Sequence, residues 1–179
     1  MQRLFVGIAL PDPIIQRLGM LAGGVPGAWW QRPDQFHLTL RFIGDIDGAA
    51  ADDARAALAR TTAAPLDLQL DGVGHFGEGR RIRALWLGVA QNPALVALQV
   101  KVERALVGAG FAPESRKFKP HVTVARMRHA NHDRVAQFLA SHALFRSEPW
   151  HVDAFHLYSS QLSPNGSLYQ IEDSYDLAL

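Results

Sequence analysis

Two short stretches of the chain alternate polar and apolar residues in the same way: His37-Leu38-Thr39-Leu40 and His121-Val122-Thr123-Val124. Successive side chains of a β-strand point to opposite faces. The alternation therefore puts His37 with Thr39 on one face and Leu38 with Leu40 on the other, and it treats the second copy alike. Around these strands the pattern predicts a framework. Leu4 to Leu10 is continuously apolar, as a central strand covered on both faces would be. Pro11 or Pro13 opens a helix running to about Leu21, and Gly23 to Gly27 ends it. Trp29-Trp30 reads as a short strand ahead of the first motif strand, Phe36 to Ile43. Gly44 to Gly48 reads as a turn, and the Ala-rich Ala49 to Arg60 as a helix.

Further on, Leu66 to Leu70 alternates as a strand does, and the glycines at 72, 74, 77 and 79 predict a hairpin or an irregular loop. Ala84 to Ala90 is a strand. A helix capped by Asn92 and started by Pro93 reaches about Val107, with Leu95, Leu98, Val102 and Leu106 on one face. His132 to Ser141 is helical. Val152 to Ser159 and Leu168 to Leu177 are strands joined around Ser163-Pro164-Asn165-Gly166, a strong turn signal.

The second motif begins 84 residues after the first, and each follows a strand–helix segment and a proline-containing loop (Pro33, Pro120). This is the signature of a degenerate internal duplication with one motif strand in each half. A pseudo-twofold arrangement of the halves sets both histidines across one cleft. Coincidence explains the pair poorly: with 8 His and four Thr in 179 residues, random placement yields roughly 0.2 His-x-Thr pairs. For either copy alone, a histidine satisfied at a strand surface is the ordinary reading, and threonine favours strands for its own reasons. The duplication tells against both.

Composition narrows the chemistry. The chain is 48% hydrophobic and 20% charged, as ordinary folded domains are, and its formal net charge is +1. A long nonspecific nucleic-acid groove needs a much larger basic footprint, whereas one or two phosphates need only a local cluster. The absence of cysteine excludes disulfides, thiolate catalysis and cysteine-ligated zinc. No phosphate-binding glycine fingerprint is present. The first apolar run is too short to span a bilayer, so the expected compartment is the cytoplasm. Neither motif carries the second histidine at helical spacing or the nearby carboxylates of a usual metal site, so no metal and no cofactor are expected.

Two imidazoles facing one phosphorus can divide the proton transfers of phosphodiester hydrolysis. One takes the proton of water and the other gives a proton to the leaving oxygen. The threonine hydroxyls beside them can donate to non-bridging oxygens. Arg41 shares the parity of His37 and Thr39, which allows it to face the phosphate or to be a solvated edge residue. Arg126 has the opposite parity to His121 but stands at its strand's end, where a bulge can re-aim it.

The motif pair resembles that of the two-histidine phosphoesterases. More closely, the chain resembles the RNA 2′,3′-cyclic phosphodiesterases, also called LigT-like proteins or 2′-5′ RNA ligases. The matching segments are Arg3 to Val6, Phe36 to Gly44, Leu85 to Gly88, Pro120 to Arg126 and Leu157 to Ser160. The resemblance implies a bilobal α+β fold forming one domain over residues 1–179. Each of its two pseudo-symmetric lobes has an antiparallel sheet with helices outside, and the active-site cleft lies between the sheets. It implies hydrolysis of a 2′,3′-cyclic phosphate at an RNA or oligonucleotide end to a 2′-phosphate, and joining of ends through a 2′-5′ linkage as the reverse reaction. It assigns His37 as proton donor, His121 as proton acceptor and Arg126 as an anion contact. The near symmetry of the motifs leaves the order of the two histidines open to sequence reasoning. The protein is expected to act as a monomer on RNA, away from membranes.

Two rival readings remain: a two-histidine phosphoesterase for a small cyclic nucleotide, and a non-catalytic module that binds RNA ends. The basic groups Arg80, Arg81, Arg83 and Arg116, Lys117, Lys119 are candidates to steer RNA, although such charges are ordinarily a solvated face. Phe36, Trp29, Trp30 and Phe76 are candidates to stack on a base, although most aromatics are core.

Overall fold

Alternation and apolar runs translate into two antiparallel sheets that meet along the motif strands. The computed structural model describes residues 1–178. One sheet has the order β10-β9-β1-β3, from β10 (Gly166–Asp176), β9 (Ala154–Ser163), β1 (Gln2–Ala9) and β3 (His37–Ile46). The other has the order β2-β7-β6-β5, from β2 (Trp29–Trp30), β7 (His121–Arg126), β6 (Ala84–Val89) and β5 (Leu70–Phe76). β4 (Leu66–Leu68) and β8 (Trp150–Val152) form a separate antiparallel pair. Each sheet thus holds one motif strand, β3 at the edge of the first and β7 between β2 and β6 in the second, and β3 and β7 approach each other at the seam.

The helices are α1 (Asp12–Gly19), α2 (Gly48–Ala59), α3 (Pro93–Gly108) and α4 (His132–Ser141). Three begin where a side chain accepts a hydrogen bond from an otherwise unpaired backbone N–H: Asp47 from Ala50 at 2.8 Å, Asn92 from Leu95 at 3.0 Å and Asn131 from Arg134 at 3.1 Å. The stripe Leu95, Leu98, Val102, Leu106 is buried, as the spacing on α3 demands. α3 packs on α2 and on β3. β1 is buried from Leu4 to Ile8 because both its faces are covered, Leu4, Val6 and Ile8 by the core and Phe5 by His37, Phe42 and Tyr158, which explains its unbroken apolar run. One continuous core joins Leu38 and Leu40 of β3 to Val122 and Val124 of β7. None of the described helices is long and apolar enough to cross a membrane.

Several expected boundaries shift. β3 does not stop for a turn at Gly44 but runs on to Ile46, with Gly44 taking φ +97° in mid-strand, a conformation open to glycine at little cost. The stretch Leu66 to Leu70 is not one strand. It breaks at Gln69, because Leu66–Leu68 pairs with β8 whereas Leu70 starts the strand that pairs with β6. The glycine-rich stretch after it forms the expected hairpin, with β5 returning through a short 3-10 turn, Gly79–Arg81, into β6.

Both motif strands are bulged at the same place. Opposite β1, Thr39 pairs with Gly7 and Arg41 with Val6, which leaves Leu40 as a surplus residue. Opposite β6, Thr123 pairs with Trp86 and Ala125 with Leu85, which leaves Val124 surplus. A surplus residue reverses the facing of everything beyond it.

Candidate active site

His37, Thr39, His121, Thr123 and Arg126 all line one cavity of about 500 Å³ at the seam of the sheets. The bulges decide which residues join them. Beyond Val124, the reversal brings Arg126 onto the face of His121 and Thr123. Beyond Leu40, the same reversal turns Arg41 away from His37 and Thr39 and puts Phe42, 50% exposed, on the cavity face instead. Arg41 therefore does not line this cavity. Its guanidinium is buried, paired with the Glu103 carboxylate and donating to the carbonyls of Phe42 and Ala112. The expectation for Arg41 rested on unbroken alternation, which the surplus residue destroys.

Each imidazole is held by the carbonyl two residues before it: His37 Nδ1 by Gln35 O at 2.8 Å and His121 Nδ1 by Lys119 O at 2.6 Å. A carbonyl can only accept, so each Nδ1 carries the hydrogen. Each Nε2 is then a lone pair in the neutral ring and an acid in the charged one. The rings are further fixed by aromatic neighbours. His37 lies 4.7 Å from Phe5 and 4.9 Å, edge-on, from Tyr169. His121 meets Phe76 edge-on at 4.8 Å and Trp86 at 6.1 Å.

The carbonyls are themselves anchored. Gln35, 8% exposed, ends the 3-10 turn Pro33–Gln35; its amide nitrogen donates to Ser167 O at 2.9 Å and its amide oxygen accepts from Arg32 N at 2.8 Å. That pins the turn before β3 to the β9–β10 hairpin, which supplies Ser160, Ser167 and Tyr169 to the cavity wall. On the other side, Glu103 joins its contact with Arg41 to one from Glu114 N at 2.8 Å. Together with the Arg41 bond to Ala112, this tethers the loop that delivers Lys119 and His121.

Electrostatics set both rings to the neutral form in the free cavity. Burial, the largest cause, lowers His37 to about 4; the charges of Arg126 and His121 add to the effect, while the bond to Gln35 opposes it. Burial likewise lowers His121, helped by Arg126 and Lys119 and opposed by the Lys119 carbonyl. Arg126 acts on both imidazoles, and none of the ion pairs among the described residues includes it. An unpaired guanidinium lining one cavity with two neutral imidazoles is a site waiting for an anion. Among the described residues no group of three His, Asp or Glu side chains converges as a metal site requires.

Of the aromatic candidates, Phe36 is buried core and Trp29 is exposed beneath Arg128, while Phe76 borders the site. Sequence reasoning missed Phe5, Trp86, Tyr158 and Tyr169 as neighbours of the histidines, and Phe42 as part of the cavity wall. Tyr169 was legible in principle. The turn at Ser163 to Gly166 sets a register that puts it opposite Ser160, inside a segment already matched to the family.

The profile of the 2′-5′ RNA ligase superfamily matches residues 23–163. The chain belongs to that superfamily. It is 29% identical over 171 residues to an RNA 2′,3′-cyclic phosphodiesterase of Archaeoglobus fulgidus, covering 94% of this chain and 96% of that protein. It is 30% identical over 147 residues to one of Thermotoga maritima, covering 81% and 77%. A relative of the same description from Geobacillus stearothermophilus is 34% identical over 129 residues; there the match spans 68% of this chain but only 41% of the relative. The superfamily fold is equally plain in solved structures. E. coli LigT complexed with 3′-AMP superposes with a TM-score of 0.81 over 99% of both chains at 22% identity. A structure described as a phosphoesterase gives 0.81 over 100% of both at 23%.

Two outcomes test this geometry. In the free protein, an NMR titration should find His37 protonating only near pH 4. The unfolded chain takes up that proton near pH 6.5, so the stability this ring contributes is full above 6.5 and is lost as pH falls through 4. Inorganic phosphate should raise the His37 value; an unchanged value near 6.5 with and without phosphate contradicts the buried, anion-seeking site. Arg41→Ala should lower unfolding free energy in urea by about 3 kcal/mol, because it strands the Glu103 carboxylate. A loss under about 1 kcal/mol contradicts the tether.

Proposed function

We propose that this protein opens a terminal 2′,3′-cyclic phosphate on RNA or an oligonucleotide to a 2′-phosphate, through acid–base catalysis shared by His37 and His121. The observation that carries the reading is the pair of imidazoles lining one cavity with both Nδ1 atoms committed to carbonyls and both Nε2 atoms left for chemistry. A phosphate-binding module needs cations and hydroxyls but has no use for a matched acid and base. The activity named for the superfamily relatives supports the same reaction.

In this scheme His121 Nε2 takes a proton from water as the water oxygen attacks phosphorus. The bond from phosphorus to the 3′ oxygen breaks, and His37 Nε2 gives its proton to that oxygen. The products are a 2′-phosphate and a free 3′-hydroxyl, with the proton now on His121 returned through solvent. Thr39, Thr123 and Arg126 hold the non-bridging oxygens and offset the charge that grows on them. The order of roles follows the family resemblance. It is supported by position, since His121 also borders a second, open groove through which water can enter, whereas His37 lines the first cavity alone. A 5′-hydroxyl in the place of water would yield a 2′-5′ linkage instead. The reading includes a monomer, since one chain supplies every group named. It also includes a cytoplasmic setting and no bound metal.

His37 Nε2 carries no proton near neutrality in the free cavity, so the acid must gain it with the substrate. A phosphodiester anion beside the ring favours the charged imidazolium and raises its pKa. Rates should follow a bell in pH. The alkaline limb of kcat/KM, which reports the free protein, should lie on the acid side of pH 6.5, because both rings are lowered there; the limb of kcat should lie at higher pH. His37→Ala and His121→Ala should each reduce turnover about 10²- to 10⁴-fold with the fold intact. Phosphorus NMR with excess chelator should show the wild-type product as the 2′-phosphate. Near-normal rates in either variant, or a 3′-phosphate product, contradict the scheme.

A further inference from the structure

A second groove of about 450 Å³ opens from the same seam. It shares Thr39, Phe42, His121, Thr123 and Arg126 with the first cavity, so the two are continuous across the reacting position. Their charges differ. In the first cavity Arg3 is neutralised by a two-point contact with Asp45, at 3.1 and 2.8 Å, and only Arg126, at the shared end, is uncompensated. In the second groove Arg116 is held by Glu114. Arg83, Lys117 and Lys119 are exposed, and no ion pair among the described residues includes them.

The cations gather around an aromatic surface. Arg83 lies 5.7 Å from the Phe76 ring centre and Lys119 6.0 Å from it, with Lys119 also 4.7 Å over Trp86. Phe76 in turn packs edge-on against His121. The protein as a whole is almost neutral, at +1, so this concentration is local. Cations that track a backbone beside a ring that can take a base are what single-stranded nucleic acid requires. A cyclic mononucleotide would use the shared end and the first cavity and leave this groove empty.

We infer that the second groove is the subsite for the nucleotide preceding the reacting end, so that the site is built for an oligonucleotide rather than a free cyclic nucleotide. This rests on the phosphodiesterase reading given above. Arg83, Lys117 and Lys119 take the backbone phosphate that links this nucleotide to the terminal one, and Phe76 offers its face to the base. The cyclic phosphate stays between the imidazoles, and the chain leaves it past His121.

The test compares kcat/KM for a trinucleotide ending in a 2′,3′-cyclic phosphate with that for a 2′,3′-cyclic mononucleotide over a range of salt. It is paired with binding of a fluorescent trinucleotide ending in a 2′-phosphate. The trinucleotide should be preferred by about tenfold or more, and its rate should fall more steeply with salt, by about 0.7 in log–log slope for each phosphate contact. The double variant Arg83→Gln/Lys117→Gln should remove most of the preference and flatten the slope. The double variant Arg104→Gln/Arg134→Gln, which deletes equal charge elsewhere on the surface, should leave both as they were. Equal use of the two substrates, or a preference untouched by the Arg83/Lys117 variant, overturns the subsite while leaving cyclic-phosphate hydrolysis standing. Binding that depends on Arg83 and Lys117 without turnover of either substrate supports the groove and overturns the phosphodiesterase reading. Neither turnover nor charge-dependent binding overturns both.

Discussion

One surplus residue in each motif strand governs what the cavity contains. Leu40 and Val124 have no partner on the neighbouring strand, and from each of them onward the inward and outward faces are exchanged. Without the bulge in β7, Arg126 would point into the core and the imidazoles would share no cation. Without the bulge in β3, Arg41 would face the cavity, and the tether from β3 to Glu103 and the loop before β7 would be missing. The same distortion, used twice, thus brings one arginine to the site and commits another to holding it. It also gives the duplicated halves unlike ends. Where β7 presents Arg126, β3 presents Phe42, so the cavity is charged on one side and aromatic on the other.

The remaining construction fixes proton positions before any substrate arrives. Backbone carbonyls two residues upstream impose one tautomer on both rings, and aromatic neighbours limit their rotation. The turn at Gln35 and the tethered loop at Lys119 keep those carbonyls in place. Burial then holds both imidazoles neutral. This arrangement leaves Arg126 as the uncompensated charge of the empty site, and it makes an entering anion favourable to two rings and a guanidinium together. Preorganisation of this kind spares reorganisation at the moment of reaction.

Much of this was readable from the residues. The unbroken run in β1, the Asn92 cap with the stripe on α3, the bounds of α4 and the turn between β9 and β10 all follow from local rules, because each depends on neighbours in sequence. The site was legible through the duplicated His-x-Thr pattern, and the fold through family resemblance. The expectations that failed depend on partners far along the chain. A bulge is a mismatch between two strands and leaves no mark in either alone, so Arg41 was assigned to the wrong face. Gly44 looks like a turn residue but serves as a distortion within a strand. The break at Gln69 exists because its two sides pair with different strands. Phe5, Trp86 and Tyr169 looked like ordinary core aromatics until the strand register placed them beside an imidazole.

The central claim is that the two Nε2 atoms converge on one phosphorus. A crystal structure with vanadate and a nucleoside in the cavity tests it most directly, since vanadate adopts the five-coordinate geometry of the transition state. The account predicts one imidazole Nε2 within hydrogen-bond distance of each apical oxygen, with Thr39, Thr123 and Arg126 on the equatorial ones. Vanadate held by a single histidine, or bound away from both, would contradict it.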